Sequence, residues 1–281
     1  EATPGAPAPD KVDTSRRSLL RGIGLASVGA AALAAGCSKG EAIAAPAPAP
    51  AAPVVDKSVA IMGANESPFG PSKKAVEAMI EKASLTARYA DDEGEELKKQ
   101  IAAIEGVDPQ QIFLANGSTP ILAAFGEIIA AKGKGQLVTS IATYEGVPRS
   151  VLEYGAELIT VPLTADFGID LDAMAAKISK KTTATYVCNP NNPTGNMVDP
   201  AKLRAFAIEA SKTAPCFIDE AYLHLCDDYD ANVMTSLLRE GHNVVIGRTF
   251  SKIYGLPGQR LGYGIAKPDL AKQMSMATRM G

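Results

Sequence analysis

Four polar segments of the sequence each follow a short apolar run, and together they contain residue types suited to acid–base and anion-binding chemistry. The segments are NGSTP at 116–120, NPNNPTG at 189–195, DEAY at 219–222 and RTFSKIYGLPGQR at 248–260. The amine of Lys252 can form an imine with a carbonyl group and can then transfer a proton. The carboxylate of Asp219, at the end of an apolar run, can stabilise a positive charge beside it. The pattern therefore predicts a site at strand ends.

The elements that must position these segments alternate between helices and strands. Helical spacing of apolar residues predicts helices around 75–83, 97–104, 121–129, 171–178 and 200–206, and Gly106 suits a helix end. Short apolar runs predict seven strands, at 112–115, 136–140, 157–163, 183–188, 216–219, 243–247 and 261–266. This alternation predicts an α/β fold with a mostly parallel seven-stranded sheet and helices on both faces, whose ligands bind beyond the carboxyl ends of the strands.

These motifs, in this order, resemble the fold-type I pyridoxal 5'-phosphate (PLP) aminotransferases, most closely the histidinol-phosphate aminotransferase group. The resemblance covers roughly residues 65–263 and includes NESPFGPS at 65–72 and ARYAD at 87–91. It implies the large domain of a PLP transferase, PLP as the cofactor and a homodimer. It also implies transfer of an amino group from an amino acid to a 2-oxo acid.

The resemblance further implies a role for each motif residue. Lys252 would hold PLP as an imine and move a proton, Asp219 would keep the ring nitrogen protonated, and Tyr222 and Asn192 would donate to the ring oxygen. The remaining implied ligands are Gly117, Ser118, Thr119, Thr249, Ser251 and Arg260 for the phosphate, Tyr144 stacked on the ring, and Tyr89 reaching the phosphate of the neighbouring subunit. The three residues before Pro120 also fit an anion-binding helix start on physical grounds, because free N–H groups and the helix dipole favour a negative charge there.

The motifs leave alternatives open. Taken singly, NPNNPTG is typical of a turn, and Tyr89 and Tyr144 are typical packing residues. Thr119-Pro120 also stands where many close relatives have an acidic pair. Only 29 residues follow Lys252, and we expect the C-terminal small domain, with its substrate-binding arginine, to be missing. A PLP-dependent decarboxylase or carbon–sulfur lyase, or a non-catalytic PLP-binding remnant, would carry the same motifs.

The N-terminal region has the features of an export signal. Arg16 and Arg17 precede an uncharged stretch at 22–38 that is too short to span a bilayer, so we interpret residues 1–41 as a twin-arginine (Tat) type signal. The alternative is a chance arginine pair before an alanine-rich helix. Cys37 in LAAGC resembles a lipidation site, although Ala34 is smaller than usual there. We expect a periplasmic or lipid-anchored protein.

The rest of the chain divides by composition. Residues 42–53 alternate alanine and proline and predict a semi-rigid linker. We assign residues 54–84 to an N-terminal arm with part of a small domain, and 85–281 to the PLP-binding large domain. Because an exported enzyme would be separated from a cytoplasmic pathway, we expect an amino-acid substrate other than histidinol phosphate.

The overall composition limits the class of partner. The 281 residues include 28 basic and 31 acidic side chains, for a net charge of −3. No broad cationic surface follows from this balance, so we expect small-molecule partners and no nucleic acid. Cys37, Cys188, Cys216 and Cys226 form no CxxC pair, and the chain has two histidines. We therefore expect neither a metal site nor a disulfide framework.

Overall fold

A computed structural model of the chain describes residues 63–278 apart from residues 90, 132 and 134. The predicted export signal at 1–41, the linker at 42–53 and the start of the N-terminal arm at 54–62 lie outside these residues. No helix in the described part of the chain is both long and apolar enough to cross a membrane.

The centre of the fold is one seven-stranded sheet, as the sequence predicts. Its strands are β1 (Ile112–Ala115), β2 (Gln136–Ser140), β3 (Glu157–Val161), β4 (Thr182–Cys188), β5 (Cys216–Asp219), β6 (Val244–Thr249) and β7 (Gly262–Ile265). Their spatial order is β1-β7-β6-β5-β4-β2-β3. β7 is antiparallel to both of its neighbours, whereas the other paired strands are parallel.

Helices connect most of the strands. They are α1 (Lys73–Lys82), α2 (Asp91–Glu105), α3 (Ser118–Ala130), α4 (Gly146–Glu153), α5 (Leu171–Lys177), α6 (Pro200–Thr213), α7 (Tyr229–Asn232), α8 (Ser236–Arg239) and α9 (Pro268–Ala277). Gly106 ends α2 with a φ of 64°, a left-handed conformation that glycine adopts without strain. The Asp199 side chain caps α6 by accepting a 3.0 Å hydrogen bond from the Lys202 N–H.

Both faces of the sheet are covered, because neighbouring residues of a strand point to opposite sides. On β5, Phe217 packs into a cluster with α3, α4 and α9, while Ile218 packs into a second cluster with α2, α5 and α6. On β4, Tyr186 packs into the same cluster as Phe217, and Val187 packs into the same cluster as Ile218. Strands covered on both faces read as continuous apolar runs, which explains why the sequence predicts them well.

The carboxyl ends of β1, β5 and β6 lie at the same edge of the sheet. The pairing places Asp219, the last residue of β5, opposite Gly247 of β6. β7 lies between β6 and β1, pairing Gly262 with Thr249 on one side and with Ala115 on the other. The polar segments that follow β1, β5 and β6 therefore converge at one edge.

Candidate active site

A cavity of about 730 Å³ lies at this edge of the sheet. Its volume is in the range of pockets that hold small ligands. The predicted site residues that line it are Ser118, Thr119, Tyr144, Asn192, Asp219, Tyr222, Thr249, Ser251, Lys252 and Arg260. The rest of the lining consists of residues 63–66, which include the first two residues of the NESPFGPS motif, and of Cys188, Ala221, Pro257 and Gly258. The structure thus brings together side chains from four separate sequence motifs.

Asp219 is a buried carboxylate at the end of β5, with 2% of its surface exposed. The Tyr186 hydroxyl donates a 3.0 Å hydrogen bond to its Oδ2, and the Ala221 N–H donates a 3.1 Å hydrogen bond to its Oδ1. Burial raises the pKa of Asp219 to about 6, because leaving water disfavours its charge, although these two hydrogen bonds counteract part of that increase. A cation placed beside Asp219 would restore its charged form.

Lys252 lies in the loop after β6, and its amine reaches the cavity. Its Nζ donates a 2.8 Å hydrogen bond to the carbonyl oxygen of Ala64 and lies 5.4 Å from the centre of the Tyr222 ring. Burial lowers the pKa of Lys252, and the charge of Arg260 lowers it further, while the carboxylates of Glu66 and Asp219 act in the opposite direction. A lowered pKa makes the neutral amine, the nucleophilic form, more available.

The Tyr222 hydroxyl accepts hydrogen bonds from two amide side chains. Nδ2 of Asn65 donates over 3.1 Å and Nδ2 of Asn192 over 3.5 Å. Burial raises the pKa of Tyr222, and the bond from Asn65 acts against that increase. Because both amides donate to the phenol oxygen, its own O–H proton is free to point at an acceptor in the cavity.

The opposite end of the cavity combines a cation with the start of a helix. Nη1 of Arg260 donates to Pro257 O at 3.0 Å and to Ser251 Oγ at 3.5 Å, and Nη2 donates to Asn116 O at 3.3 Å. Gly117, with a φ of 91°, directly precedes α3, whose first residues Ser118 and Thr119 face the cavity. A guanidinium beside the free N–H groups of a helix start suits a phosphate group.

The two aromatic residues of the prediction differ in their placement. Tyr144 is partly buried, packs against the cluster around α3 and lines the cavity. Tyr89 is 89% exposed and lies outside the cavity lining. Its proposed reach into a neighbouring subunit stays a prediction.

Sequence reasoning missed three features of the site. The Tyr186 hydroxyl and the Cys188 thiol come from β4, where both residues read as ordinary core positions of an apolar strand. The one indication for Tyr186 is that its hydroxyl, in a strand of the core, must find a hydrogen-bond partner when it is buried. The Ala64 carbonyl contacts Lys252 across 188 positions of the chain, and no local pattern indicates such a contact.

Comparisons with known proteins agree with this architecture. Residues 57–280 match the model of the family described as aminotransferase class I and II. A histidinol-phosphate aminotransferase of Brevibacillus brevis is 38% identical over 213 residues, which cover 76% of this chain and 58% of that protein. An aromatic amino acid aminotransferase of Cutibacterium acnes is 35% identical over 213 residues, which cover 76% of this chain and 60% of that protein.

A solved structure shares the fold. The histidinol-phosphate aminotransferase of Sinorhizobium meliloti, determined in complex with pyridoxal-5'-phosphate, is 31% identical with a TM-score of 0.67, covering 77% of this chain and 61% of that one. The chain thus spans about three fifths of the length of these relatives. Since the family model matches most of the 281 residues, the chain belongs to the class I and II aminotransferases.

Proposed function

We propose that this chain binds PLP covalently through Lys252 and that the protein transfers an amino group from an amino acid to a 2-oxo acid. One observation carries the proposal: an amine with a lowered pKa, a buried carboxylate and an arginine at a helix start line the same cavity. These are the three groups that PLP needs for its aldehyde, its ring nitrogen and its phosphate.

The residues present fit the phosphate of the cofactor. Arg260, Ser251 and Thr249 line the cavity next to the start of α3. A β-carbon on Gly117 would lie 2.2 Å from Nη2 of Arg260, so only glycine leaves the backbone close to this guanidinium. An anion held there would meet backbone N–H donors and a charged bidentate donor together.

The residues also fit the ring. Asp219 is buried without a cationic hydrogen-bond partner among the described residues, and its raised pKa shows that its charge is poorly compensated. A protonated pyridine nitrogen would supply the missing charge. Tyr222 and Asn192 line the cavity with donors for a ring oxygen, and Tyr144 offers an aromatic surface.

When bound, PLP supplies an electron sink for negative charge that develops at the substrate Cα. The chain's own residues provide the remaining chemistry. The amine of Lys252 would hold the cofactor, and when it is free its Nζ would accept and return a proton. The charge of Asp219 would keep the ring nitrogen protonated, and the phenol proton of Tyr222 is free to point into the cavity because two amides occupy the oxygen's acceptor positions.

Borohydride reduction followed by peptide mapping tests the covalent assignment. The wild-type protein with PLP should carry a pyridoxyl group on Lys252 and show amino transfer when the complete protein is assayed. Lys252→Ala should lose the modification, whereas Lys212→Ala, at an exposed position on α6, should retain it. Modification of another lysine would overturn the assignment. Release of CO2 or a thiol without amino transfer would identify the alternative reactions.

For the amino donor we propose an amino acid without a phosphate group. Among the described residues that line the cavity, Lys252 and Arg260 are the cationic ones, and the proposed cofactor occupies both. A pocket of about 420 Å³ adjoins the cavity and shares Asn65, Asn192 and Tyr222 with it. The rest of its lining, within the part of the chain that the structure describes, has no cation and consists of Pro190, Asn191, Pro193, Gly195, Met197, Leu225, Cys226 and the acidic Asp227. Such a lining favours an uncharged side chain over a phosphate.

A screen of amino donors with the complete protein tests the substrate class. Aromatic and aliphatic amino acids should be turned over with kcat/KM at least about tenfold above that of histidinol phosphate, because burying an unpaired phosphate costs more than 1.4 kcal/mol. Preferred turnover of histidinol phosphate would refute the proposed substrate class.

We propose a homodimer in which Tyr89 contributes to the neighbouring site. The exposed position of Tyr89 supports this, as do the exposed apolar side chains of Phe69 and Ile80 nearby in the sequence. Mixing a Tyr89→Phe variant with a Lys252→Ala variant should produce hybrid dimers whose activity differs from that of either parent. A protein that is monomeric in analytical ultracentrifugation and fully active at the same concentration would contradict the proposal.

We also propose Tat-dependent export, with Cys37 as a lipid attachment site. The arginine pair and the uncharged stretch after it support this, and Tat export of a folded protein would allow PLP to bind before translocation. Arg16→Lys together with Arg17→Lys should retain the protein in the cytoplasm. Undiminished export of this variant would reject the Tat signal, and an unmodified Cys37 in the mature protein would reject the lipid anchor.

A further inference from the structure

A buried ionic network is centred on Arg248. It adjoins the cavity along the chain, because Arg248 precedes Thr249 and Glu220 follows Asp219, and both of these neighbours line the cavity. Arg248 lies on β6, has 0% of its surface exposed and contacts two buried carboxylates, Glu105 at the end of α2 and Glu220 just after β5. Nε and Nη2 of Arg248 both donate to Oε2 of Glu220, at 2.9 and 2.7 Å. Its Nη1 donates to Oε1 of Glu105.

The guanidinium has no donor left for a ligand. Beyond the two carboxylates, Nη1 donates to the Tyr229 hydroxyl at 2.8 Å and Nη2 donates to Thr235 Oγ1 at 3.2 Å. Five N–H groups are all that a guanidinium offers. Arg248 therefore cannot bind a substrate carboxylate or a cofactor phosphate, and its effect must be exerted inside the protein.

Glu220 connects Arg248 to the site. It is the residue after Asp219, and its N–H donates a 2.9 Å hydrogen bond to Gly247 O, next to Arg248 on β6. Its second carboxylate oxygen accepts a 3.0 Å hydrogen bond from the Met234 N–H. These bonds fix Glu220 on both sides, so two buried carboxylates are held one residue apart at the end of β5.

Two neighbouring buried carboxylates oppose each other's ionisation. The charge of Glu220 contributes to the raised pKa of Asp219, after burial, which is the main cause. Burial likewise raises the pKa of Glu220, and Arg248 counteracts that increase. The other titratable groups that act on Asp219 are Tyr186 of β4 and Lys252, while Cys188 of β4 and Tyr222 are themselves affected by its charge.

We propose that Arg248 is a positioning residue that acts through Glu220 on Asp219, compensating the second carboxylate so that Asp219 can hold its negative charge towards the cavity. Stability alone does not account for these buried charges, because well-packed apolar side chains can often replace a buried ion pair without loss of stability. The catalytic role of the Asp219 charge rests on the proposed function. The electrostatic coupling of Arg248, Glu220 and Asp219 exists in the protein without cofactor and can be measured there.

The test is a pH titration of Asp219 by carbon-13 NMR in the full chain, labelled at aspartate carboxyl carbons and free of PLP. The Asp219 signal is the one that Asp219→Asn removes. Glu220→Gln should lower the titration midpoint by at least about 0.5 pH unit, and Arg248→Met should raise it by a similar amount. The double variant should return the midpoint towards the wild-type value.

An exposed ion pair gives a matched control. Arg204 contacts Glu240 on the surface, and Arg204→Met or Glu240→Gln should leave the Asp219 midpoint unchanged. Should Arg248→Met fail to fold alone, the double variant replaces it, and a midpoint in the double variant no higher than in Glu220→Gln overturns the role of Arg248. An unchanged or raised midpoint in Glu220→Gln overturns the inference.

PLP binding to the same variants, followed by absorbance, separates this inference from the proposed function. Normal PLP binding by the wild type with no shift in Glu220→Gln would reject the role of Arg248 alone. A shift in Glu220→Gln with no PLP binding by the wild type would reject the proposed function alone.

Discussion

Gly117 and Arg260 lie so close together that a β-carbon on Gly117 would be 2.2 Å from Nη2 of Arg260 and 2.9 Å from its Cζ. The same glycine has a φ of 91°, in the region that L side chains rarely adopt. A side chain at this position would therefore strain the backbone and would also displace the guanidinium, and only the second effect involves the site.

Gly117→Ala should weaken PLP binding by about tenfold or more, because the methyl group displaces the guanidinium from the proposed phosphate site. Gly155→Ala is the matched control: Gly155 has a φ of 79° but no atom within 4 Å of an added β-carbon. Both variants should lose stability from backbone strain, and only Gly117→Ala should lose affinity in an absorbance titration with PLP. Equal affinities would disprove the role of this contact.

Asp219→Asn should stabilise the protein without cofactor while abolishing turnover. The folded-state pKa of about 6 lies above the unfolded value of 3.8, so the folded protein keeps a proton that the unfolded chain releases. Stability is therefore lost as pH rises from about 4 to about 6, and the neutral amide avoids this loss, which amounts to at most about 3 kcal/mol at pH 7.

Urea unfolding of wild type and Asp219→Asn at several pH values measures this difference. The gap between the two should widen from pH 4 to pH 6 and then stay constant. Asp172→Asn, at an exposed position on α5, is the control for a general effect of removing a carboxylate. A gap that is independent of pH would show that Asp219 keeps its ordinary pKa in the folded protein.

Glu66→Gln should make the Lys252 amine more reactive near neutral pH. The Glu66 carboxylate favours the protonated amine, so its removal lowers the pKa of Lys252 further. Competitive acetylation followed by mass spectrometry should show severalfold faster labelling of Lys252 in this variant at pH 7. Glu77→Gln, exposed on α1, should leave the labelling rate unchanged. Slower labelling in Glu66→Gln would show that the Glu66 carboxylate does not raise the pKa of Lys252.

Tyr186→Phe should reduce kcat of the complete protein by about tenfold with little change in the substrate KM. The variant removes the 3.0 Å hydrogen bond to Asp219 Oδ2, which is worth about 1–1.5 kcal/mol. Without this donor the pKa of Asp219 rises further, and the carboxylate holds its charge less well. Tyr154→Phe, at a half-exposed position remote from the cavity, is the control. Unchanged kcat in Tyr186→Phe would exclude this hydrogen bond from the mechanism.

Much of the fold could be predicted because its strands are buried on both faces. β1, β2 and β5 have the predicted bounds, and β3 ends two residues earlier than predicted, at Val161. Helix α4 was missed, because it has only eight residues and begins with Gly146-Val147-Pro148, which reads as a turn.

The motifs of the site could be located for a similar reason: each lies at the end of a strand or directly after it, and parallel strands end at the same edge of the sheet. The supporting contacts could not, because they join residues far apart in sequence. Asn65 contacts Tyr222 across 157 positions, and Glu105 contacts Arg248 across 143. The packing of α2 against the sheet brings Glu105 to Arg248, and this contact compensates the charge of an arginine buried in the core.

The placement of β7 has a consequence for protein synthesis. The loop after β1 and the loop after β6 form the two halves of the proposed phosphate-binding end, and Arg260 joins them by donating to Asn116 O and to Ser251 Oγ. β1 pairs with the sheet through β7, which comes last in sequence among the strands of the described residues. A nascent chain on the ribosome therefore cannot complete this end of the cavity until residue 265 has emerged, and PLP capture is expected to follow that point of translation.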